Sequence, residues 1–495
     1  MHLNLTHLTY TYPGATAAAL EDATLTLRPG WTGIVGDNGC GKTTLALIAC
    51  GKLRPDAGAV GPRLFSVYCA QDPDVEPDTL ADFASDWNRE AQDIRRLLTI
   101  EDDWLWRYDT LSGGQKKRIQ IACALWERPD VLVMDEPTND LDGPTRAIVA
   151  DALAAFGGIG ILISHDRDLL DNLVSQCLMY EAGRFVLRPG TYTQASGQAS
   201  ICRETAMRSR EQTRREVQRM EAEAVRRREE ASRARDKRSA RGLDPKDHDG
   251  RGRIQLAIYT GKDGVAGKLA SSMDGRLARA RQELAANTVE KRYDGKIGNW
   301  GARSRASVVL HRKKGTLQAG EFSLRVPELW VGPADHVVLT GANGSGKSLL
   351  VNDLMGHVRE SVNVAFLPQD VSAATRERAL AKLATLPAAE KGRVLSIVGR
   401  LNSDPDALLD GADMSPGETK KLMLAEQLVE NPEFIVLDEP TNHLDMSSIE
   451  ALGELLSTFP GAFLLVTHDK ALADSLDAIH WRTERDGEGS ALVVG

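Results

Sequence analysis

The sequence lacks the features that mark exported, metal-binding and membrane proteins. Its 495 residues include only six cysteines, and these form no CxxC pair and no Cys/His cluster with metal-ligand spacing. We therefore expect no zinc site and a reduced, cytoplasmic setting. No apolar run approaches the roughly 18 to 20 residues that cross a bilayer, so we also expect no membrane insertion.

The sequence also lacks a secretion signal, and its charge is unevenly distributed along the chain. Residues 1–14 (MHLNLTHLTYTYPG) alternate apolar and polar side chains like a strand, with no basic segment followed by an apolar one. The net charge of −9 gives no sign of a nucleic-acid partner. Residues 203–296, however, hold 25 Lys and Arg against 16 Asp and Glu. A basic middle segment therefore joins two acidic parts.

One set of landmark residues occurs twice at a nearly constant separation. The pairs are Lys42 and Lys347 at 305 residues, Gln71 and Gln369 at 298, and Ser112 and Ser415, Asp135 and Asp438, and His165 and His468 at 303 each. Such an offset across five motifs predicts two homologous domains. We assign the first domain to residues 1–196, a connector to 197–300 and the second domain to 301–495.

Each domain contains a glycine-rich phosphate loop between an apolar strand and a helix. The loops are GDNGCGKT at 36–43 and GANGSGKS at 341–348. Backbone N–H groups and the lysine bind ATP phosphates, and the final hydroxyl ligates Mg²⁺. An incidental Gly-rich turn is the alternative, and two copies in register make it negligible. The predicted ATP-binding residues are Gly36, Asn38, Gly39, Gly41, Lys42, Thr43 and Thr44, and Gly341, Asn343, Gly344, Gly346, Lys347 and Ser348.

Two acidic residues end an apolar run in each domain. These pairs are Asp135 with Glu136 and Asp438 with Glu439. A buried parallel strand carries functional groups at its carboxyl end, so each pair is predicted to lie beside a phosphate loop. The aspartate suits the Mg²⁺ shell, and the glutamate suits a general base for the attacking water. An acidic helix cap is the alternative, and the Pro-Thr-Asn that follows both pairs argues against it.

A second signature distinguishes among P-loop ATPases. LSGGQ at 111–115 and MSPGE at 414–418 each open a helix about 20 residues before the acidic pair. With these motifs the sequence resembles the ATP-binding cassette superfamily, which implies that each ATP is held between the phosphate loop of one cassette and the signature of the other. The implied signature residues are Ser112, Gly113, Gly114 and Gln115 for the ATP on Lys347, and Ser415, Gly417 and Glu418 for the ATP on Lys42.

The resemblance also implies a role for two glutamines and two histidines. Gln71 and Gln369 look like the residues that reach Mg²⁺ and the attacking water. His165 and His468 look like the switch histidines that contact the γ-phosphate. A lone histidine is more often structural, but both stand about 30 residues beyond an acidic pair and behind an apolar strand.

Three positions predict that the two ATP sites differ. Tyr12 fits the adenine-stacking aromatic of the first cassette, with Tyr10 as a rival. The second cassette offers only His311 and Phe322 near the matching segment, so we expect a weaker hold on adenine there. Pro416 replaces a signature glycine and removes one N–H donor, which predicts slower hydrolysis at the site on Lys42.

The connector is dense in Arg, Glu and Ala. Residues 198–238 contain no Gly or Pro and predict a long helix, residues 241–250 break it, and a second helical pattern covers 265–286. We expect a helical hairpin with a basic tip near 239–262. A solvated spacer is the alternative, but the arginine excess suits an RNA backbone. The candidate RNA contacts are Arg226, Arg233, Arg235, Lys237, Arg238, Arg241, Lys246, Arg251 and Arg253.

Tandem cassettes, the arginine-rich connector and TNHLD at 441–445 together resemble the ABC-F family over the whole chain. The resemblance implies an α/β protein with two P-loop cassettes joined by a helical hairpin, using ATP and Mg²⁺ and working as a monomer through pairing of its own cassettes. The implied partner is the ribosome. The protein would enter the tRNA exit site, contact rRNA and P-site tRNA, and modulate translation or displace antibiotics.

Two other functions use the same cassettes. A tandem ATPase of a membrane importer or exporter would explain the duplication but leaves the basic connector without a purpose. A DNA-repair or chromosome ATPase fits less well, because the cysteines cannot build the zinc modules of the repair members. Chromosome ATPases insert their coiled coil inside one cassette, whereas this connector lies between two complete ones.

Overall fold

The computed structural model describes residues 1–15, 17–139, 141–236, 249, 252, 255–256, 264–286, 300–405, 408, 414–486 and 489–494. The chain forms two compact units. One unit contains Met1–Ala195 and Arg292–Gly495, and the other is Ser196–Lys291. Both copies of the landmark motifs belong to the first unit, and most of the predicted connector belongs to the second.

The first copy is an α/β domain. Its strands are β1 (Leu3–Tyr10), β2 (Leu20–Leu27), β3 (Gly30–Val35), β4 (Ala57–Gly61), β5 (Ser66–Cys69), β6 (Val131–Asp135), β7 (Ile159–Ile163), β8 (Val174–Glu181) and β9 (Arg184–Pro189). Its helices are α1 (Lys42–Ala49), α2 (Leu80–Ser85), α3 (Arg89–Leu97), α4 (Gly113–Trp126), α5 (Gly143–Ala154) and α6 (Arg167–Leu173). The main sheet has the order β5-β6-β7-β3-β8-β9, and β2-β1-β4 form a smaller antiparallel sheet.

The second copy repeats this plan. Its strands are β10 (Leu310–Arg312), β11 (Gly315–Ala319), β12 (Phe322–Val326), β13 (Leu329–Val331), β14 (His336–Gly341), β15 (Val364–Leu367), β16 (Phe434–Asp438), β17 (Ala462–Val466), β18 (Ile479–Asp486) and β19 (Gly489–Val494). The order β15-β16-β17-β14-β18-β19 matches the first sheet strand for strand, and β12 and β11 extend it beyond β19. The prediction of two α/β P-loop domains is confirmed.

The parallel strands explain where the functional groups lie. Strands β6, β7 and β3 are neighbours, and Asp135 pairs in register with Ile163 at their carboxyl ends. Every residue of β6 and β7 is buried, as a strand covered on both faces requires. The acidic pair, the histidine after β7 and the phosphate loop after β3 therefore share one edge of the sheet.

The connector forms two helices, α7 (Tyr192–Asp236) and α8 (Gly264–Ala286). They pack through a small apolar core that includes Val217 and Leu277. Ion pairs between described residues join the helices, with Arg228 and Asp274 at 2.7 Å and Arg281 and Glu221 at 2.6 Å. Among the described residues, no helix combines the length and apolarity needed to span a bilayer.

The first connector helix begins earlier than predicted. Helix α7 begins at Tyr192, before the predicted start at 198, because Tyr192 and Ala195 are buried in the core of the first domain. Arg226 lies exposed on α7, and Arg233 and Arg235 belong to its last turns. Most of the predicted tip near 239–262 lies outside the described residues, together with Lys237, Arg238, Arg241, Lys246, Arg251 and Arg253.

The remaining helices are α9 (Lys347–Met355), α10 (Ala373–Thr385), α11 (Ala388–Arg400), α12 (Pro416–Val429), α13 (Met446–Ser457) and α14 (Lys470–Ser475). Helices α2 and α3 in the first domain and α10 and α11 in the second lie between the phosphate loop and the signature. Helices α4 and α12 each begin directly after a signature serine, as predicted.

Candidate active site

Each phosphate loop ends in a glycine whose backbone is left-handed, and a helix follows at once. Gly41 has a φ of +92° before α1, and Gly346 has a φ of +89° before α9. A Cβ on Gly41 would lie 2.4 Å from the carbonyl oxygen of Ala19, so a larger residue fits only if backbone moves. The unpaired N–H groups at the start of each helix adjoin the loop, which is the arrangement that binds phosphate.

The loop lysines lie over their own loops. Lys42 Nζ donates a hydrogen bond to the carbonyl oxygen of Gly36 at 2.7 Å. Lys347 Nζ donates to the carbonyl oxygen of Gly341 at 2.9 Å. Both lysine side chains are buried in their loops. Each ammonium group is therefore positioned to neutralise phosphate oxygens held by the same loop.

The acidic pairs provide acceptors that fit a divalent cation. Thr43 Oγ1 donates to Asp135 Oδ2 at 3.0 Å, so the two predicted Mg²⁺ ligands of the first site are adjacent. At the second site, burial raises the pKa of Asp438, and the nearby Ser348 hydroxyl limits this rise. Asp438 Oδ1 and one oxygen of Glu439, Oε2, are buried without a hydrogen-bond partner among the described residues. Buried oxygen acceptors of this kind suit Mg²⁺ and an ordered water.

The second carboxylate of each pair is held in an unusual environment. Glu136 and Glu439 both have a φ of +47°, a conformation that non-glycine residues rarely adopt outside functional sites. Burial and the charge of Asp135 raise the pKa of Glu136 to about 8. Burial raises the pKa of Glu439 to about 7, and nearby Lys347 limits this rise. Each carboxyl can therefore exchange a proton near neutral pH, as a general base requires.

The histidines lie beside these glutamates. His468 Nε2 is 3.1 Å from Glu439 Oε1 and 2.9 Å from Lys347 Nζ. His165 Nε2 is 3.5 Å from Glu136 Oε1. Burial and the adjacent Lys347 lower the pKa of His468 to about 4, and burial and Lys42 lower the pKa of His165 to about 3. Both imidazoles are neutral at pH 7 and can accept or donate a hydrogen bond.

The first nucleotide pocket lies between the two cassettes and has a volume of about 640 Å³. From the first cassette it is lined by the predicted residues Tyr12, Asn38, Gly39, Gly41, Lys42, Thr43, Thr44, Gln71, Asp135, Glu136 and His165. From the second cassette it is lined by Ser415, Pro416, Thr441, His443 and Leu444. The structure thus brings one signature to the opposite phosphate loop.

Tyr12 rather than Tyr10 borders the first pocket. The Tyr12 hydroxyl lies 2.9 Å from Thr44 Oγ1, and the Tyr12 side chain is 43% exposed. Tyr10 is buried in the core and contacts Tyr12 edge to face, with 5.0 Å between the ring centroids. An aromatic ring that is open to the pocket and anchored to α1 suits stacking on a base.

The second nucleotide pocket is smaller, with a volume of about 330 Å³. Its own cassette contributes the predicted residues Asn343, Gly344, Gly346, Lys347, Ser348, Gln369, Glu439 and His468, together with Phe322. The first cassette contributes Leu141 and Arg146. The predicted signature residues Ser112, Gly113, Gly114 and Gln115 do not line this pocket, so the structure does not bring them to Lys347.

Phe322 rather than His311 borders the second pocket. Its ring lines the second pocket, and a Cβ on Gly346 would lie 2.8 Å from Phe322 Cε1. His311 lies elsewhere, stacked on Trp330 and bonded to Glu328. Tyr12 precedes β2 whereas Phe322 begins β12, so the constant offset between the domains could not locate Phe322.

The signature serines are helix caps. Ser112 and Ser415 each accept a hydrogen bond from the backbone three residues later, and Gln115 and Glu418 complete the two capping boxes. Pro416 occupies the first helical position, which tolerates a missing N–H donor. Local helix physics therefore accounts for these residue types independently of any ligand.

Residues beyond the acidic pairs join the cassettes, a role that the phosphate-loop and signature motifs do not indicate. Asp142 Oδ2 accepts a hydrogen bond from the backbone N–H of Asn343, which lies in the opposite phosphate loop, at 3.1 Å. Arg146 Nη1 lies 3.5 Å from the carbonyl oxygen of His468. In the other direction, Ser447 Oγ donates to Asp37 Oδ1 at 2.6 Å. The motif Leu-Asp five residues after each Asp-Glu pair is the signal that marks this segment.

Comparison with known proteins identifies this arrangement. Residues 20–139 and 324–442 match the family model described as "ABC transporter". ATP-binding protein Uup of Caulobacter vibrioides is 29% identical over 90% of this chain and 71% of that protein. Both cassettes match the ABC transporter family, and over most of its length the chain is similar to ABC-F proteins. It is accordingly a P-loop ATPase that hydrolyses ATP.

Other ABC-F proteins cover the chain nearly end to end. Ribosome protection protein VmlR of Bacillus subtilis is 27% identical over 88% of this chain and 79% of its own length. Tylosin resistance ATP-binding protein TlrC of Streptomyces fradiae is 29% identical over 93% of this chain and 94% of its own length. The solved structure of the archaeal ribosome recycling factor aABCE1, in complex with stalk protein aP1, shares the fold, with a TM-score of 0.64 and 19% identity over 98% of this chain and 89% of that chain.

The raised pKa values of the buried glutamates predict a measurable stability change. The pKa of each carboxyl is higher in the folded protein than in the unfolded chain, where it is about 4.5. The folded protein therefore loses stability as the pH rises above about 4.5 and through the folded-state pKa. The chain carrying Glu136→Gln and Glu439→Gln is therefore expected to be more stable than the parent at pH 8 without nucleotide, by about 1–3 kcal/mol. Thermal unfolding at pH 5 and pH 8 measures the difference, which should shrink at pH 5. The control Glu377→Gln changes an exposed carboxyl and should leave the stability unchanged at both pH values. An equal gain in stability at pH 5 and pH 8 in the double variant would contradict the explanation.

Proposed function

We propose that this ATPase binds the ribosome at the tRNA exit site and there modulates translation or displaces an antibiotic. The observation that carries the proposal is the arginine-rich pair of connector helices, which the sequence inserts between two cassettes that form a nucleotide pocket together. Two relatives support the proposal by their names. VmlR is a ribosome protection protein, which supports the ribosome as the partner, and TlrC is a tylosin resistance protein, which supports a role against an antibiotic.

The proposed ATP sites use the residues already described. Lys42 and Lys347 bind the β- and γ-phosphates, and Thr43 with Asp135 and Ser348 with Asp438 hold Mg²⁺. Gln71 lines the first pocket and Gln369 lines the second. In the proposal each glutamine side chain would contact Mg²⁺ and the attacking water. When bound, Mg²⁺ neutralises charge that develops on the phosphate oxygens. The residues fit this ion, because each site offers a hydroxyl near a buried carboxylate, and at the first site the two are hydrogen-bonded.

Hydrolysis in the proposed mechanism depends on the glutamates and histidines. Glu136 or Glu439 orients the attacking water and accepts its proton as the bond to the γ-phosphorus forms and the bond to the β,γ-bridging oxygen breaks. The neutral imidazole of His165 or His468 lies close enough to keep that carboxylate in place. The product phosphate no longer bridges the cassettes, so the cassettes separate.

In this proposal the first site already has a signature serine opposite its phosphate loop. Ser415 lines the pocket that contains Lys42, and its hydroxyl can donate to a γ-phosphate oxygen. Gly417 lets the start of α12 pack closely against the segment that contains His443, because a Cβ at Gly417 would lie 2.3 Å from the carbonyl oxygen of His443. At the second site, Leu141 and Arg146 line the pocket from the other cassette, and Asp142 accepts a hydrogen bond from the backbone of the loop. Closure around ATP would have to bring Ser112 toward Lys347.

The connector supplies the proposed contact with RNA. Arg226 is exposed on α7, although Glu223 lies 3.9 Å away, and further arginines follow toward the end of the helix. Phosphate contacts by arginine release counterions, so affinity is expected to fall steeply with salt concentration. The affinity of the connector for RNA would thus be electrostatic and weakly dependent on RNA sequence.

Pelleting with purified Bacillus subtilis ribosomes tests the proposal. The chain should pellet with ribosomes in a non-hydrolysable ATP analogue and not in ADP. Neutralising Arg226, Arg233, Arg235 and Arg238 to Gln should weaken binding at least tenfold and flatten its salt dependence, because each lost phosphate contact reduces the slope. Neutralising the four residues Arg203, Arg208, Arg210 and Arg214 nearer the start of α7 is the matched control. Recovery with membranes rather than ribosomes would favour the importer or exporter alternative.

A further inference from the structure

Tyr68 contacts the predicted cation site from a neighbouring strand. Strand β5 pairs with β6, and Tyr68 lies in register with Val133. The Tyr68 hydroxyl donates a hydrogen bond to Asp135 Oδ2 at 2.9 Å. Thr43 Oγ1 donates to the same oxygen at 3.0 Å. The carboxylate of Asp135 is therefore fixed from two sides, by the phosphate loop and by a residue that precedes Gln71.

The tyrosine ring is itself held in place. Lys52 Nζ lies 5.4 Å from the centroid of the Tyr68 ring, a distance at which a cation is attracted to an aromatic face. The side chain is half-buried, and its ring packs against the core that contains β1 and α1. A fixed ring makes the direction of its hydroxyl reproducible, which is what a residue that orients a ligand requires.

The second cassette has a phenylalanine at the same place. Phe366 lies in register with Val436 on β15 and β16, as Tyr68 does with Val133. Phe366 cannot donate a hydrogen bond, and Asp438 Oδ1 is buried without a partner among the described residues. At this strand position the two predicted cation sites therefore differ by one hydroxyl group.

We propose that Tyr68 is a positioning residue that holds Asp135 ready for the divalent cation, so that the first site binds the cation with ATP more tightly than the second. The proposal rests on the proposed role of Asp135 in holding Mg²⁺ and is independent of the ribosome. Removing a hydrogen bond that orients a metal ligand typically costs about 10-fold to 100-fold in metal affinity. Together with Pro416 at the same site, this predicts that the first site keeps its nucleotide longer.

The test uses the full chain with one site disabled. In the Lys347→Ala background only the first site binds, and in the Lys42→Ala background only the second. Mn²⁺ replaces Mg²⁺ as a paramagnetic probe, and its binding with a non-hydrolysable ATP analogue is followed by electron paramagnetic resonance. Tyr68→Phe should weaken Mn²⁺ binding at the first site about 10-fold or more. Binding of the analogue in EDTA should stay unchanged.

Two further variants separate positioning from folding. Phe366→Tyr in the Lys42→Ala background should tighten Mn²⁺ binding at the second site, whether or not Tyr68→Phe folds. Tyr108→Phe removes another phenol, whose hydroxyl donates to the carbonyl oxygen of Pro73 at 2.6 Å, and should leave Mn²⁺ binding unchanged. Unchanged binding in both Tyr68→Phe and Phe366→Tyr, or equal losses in Tyr68→Phe and Tyr108→Phe, would overturn the proposal. Absence of Mn²⁺ binding in the Lys347→Ala parent would instead overturn the proposed role of Asp135.

Discussion

The chain carrying both Glu136→Gln and Glu439→Gln is expected to hydrolyse ATP about 10²-fold to 10⁴-fold more slowly than the parent, the usual contribution of a general base. The amide cannot accept a proton from water, yet it keeps the size and most contacts of the carboxylate. ATP should therefore still bind, and the cassettes should remain closed around it. Steady-state phosphate release measures the loss, and nucleotide retained after gel filtration measures the trapping.

The single variants resolve the contribution of each site. Pro416 removes an N–H donor from the signature that faces Lys42, so Glu439→Gln should lower total turnover more than Glu136→Gln. The exposed carboxylate of Glu101 provides a matched control, because Glu101→Gln should leave turnover unchanged. A double variant that retains more than about one tenth of the parent rate would show that neither glutamate is the base.

Gly41→Ala is expected to remove ATP binding at the first site. The new methyl group would lie 2.4 Å from the carbonyl oxygen of Ala19, and the left-handed backbone adds about 1–2 kcal/mol of strain. The loop can relieve both only by moving its N–H groups away from the phosphate position. In the Lys347→Ala background, affinity for a fluorescent ATP analogue should fall about tenfold or more, since each 1.4 kcal/mol is a factor of ten.

The matched control for this substitution is Gly51→Ala. Gly51 follows the same helix, has a φ of +73° and has open space where the Cβ would be added. Gly51→Ala therefore carries a similar backbone strain without the clash. It should lower the melting temperature but leave nucleotide affinity intact. Equal losses of affinity in the two variants would mean that general destabilisation, rather than the shape of the phosphate loop, controls binding.

The sequence predicts the parts of this molecule that depend on local patterns. Both phosphate loops, both acidic pairs and both signature serines follow from short motifs between apolar strands and helices, and the structure has these elements where the motifs predict them. The two strand orders match because the repeat preserved every strand of the main sheet. A constant offset between copies is therefore a reliable guide to the backbone.

Contacts between distant segments could not be predicted in this way. Tyr12 borders the first pocket from the loop before β2, whereas Phe322 borders the second pocket from the first residue of β12. The two aromatic residues therefore do not share the spacing of the repeat. Tyr68 and Phe366 occupy equivalent positions on their strands, and only the structure reveals that the hydroxyl meets Asp135. Arg146 corresponds to Ile449 in the second cassette, so the contact of Arg146 with the carbonyl oxygen of His468 has no equivalent at the first site. The two sites differ through residues that the motifs do not contain.

Peptide synthesis in a reconstituted translation reaction tests the central claim most directly. With ATP present, the chain carrying Glu136→Gln and Glu439→Gln should stop synthesis and sediment with the ribosomes. Adding Lys42→Ala and Lys347→Ala to that variant should restore synthesis and release the protein, because ATP can no longer join the cassettes. If the ATP-trapping variant leaves both synthesis and sedimentation unchanged, the protein does not act on the ribosome through its ATP sites.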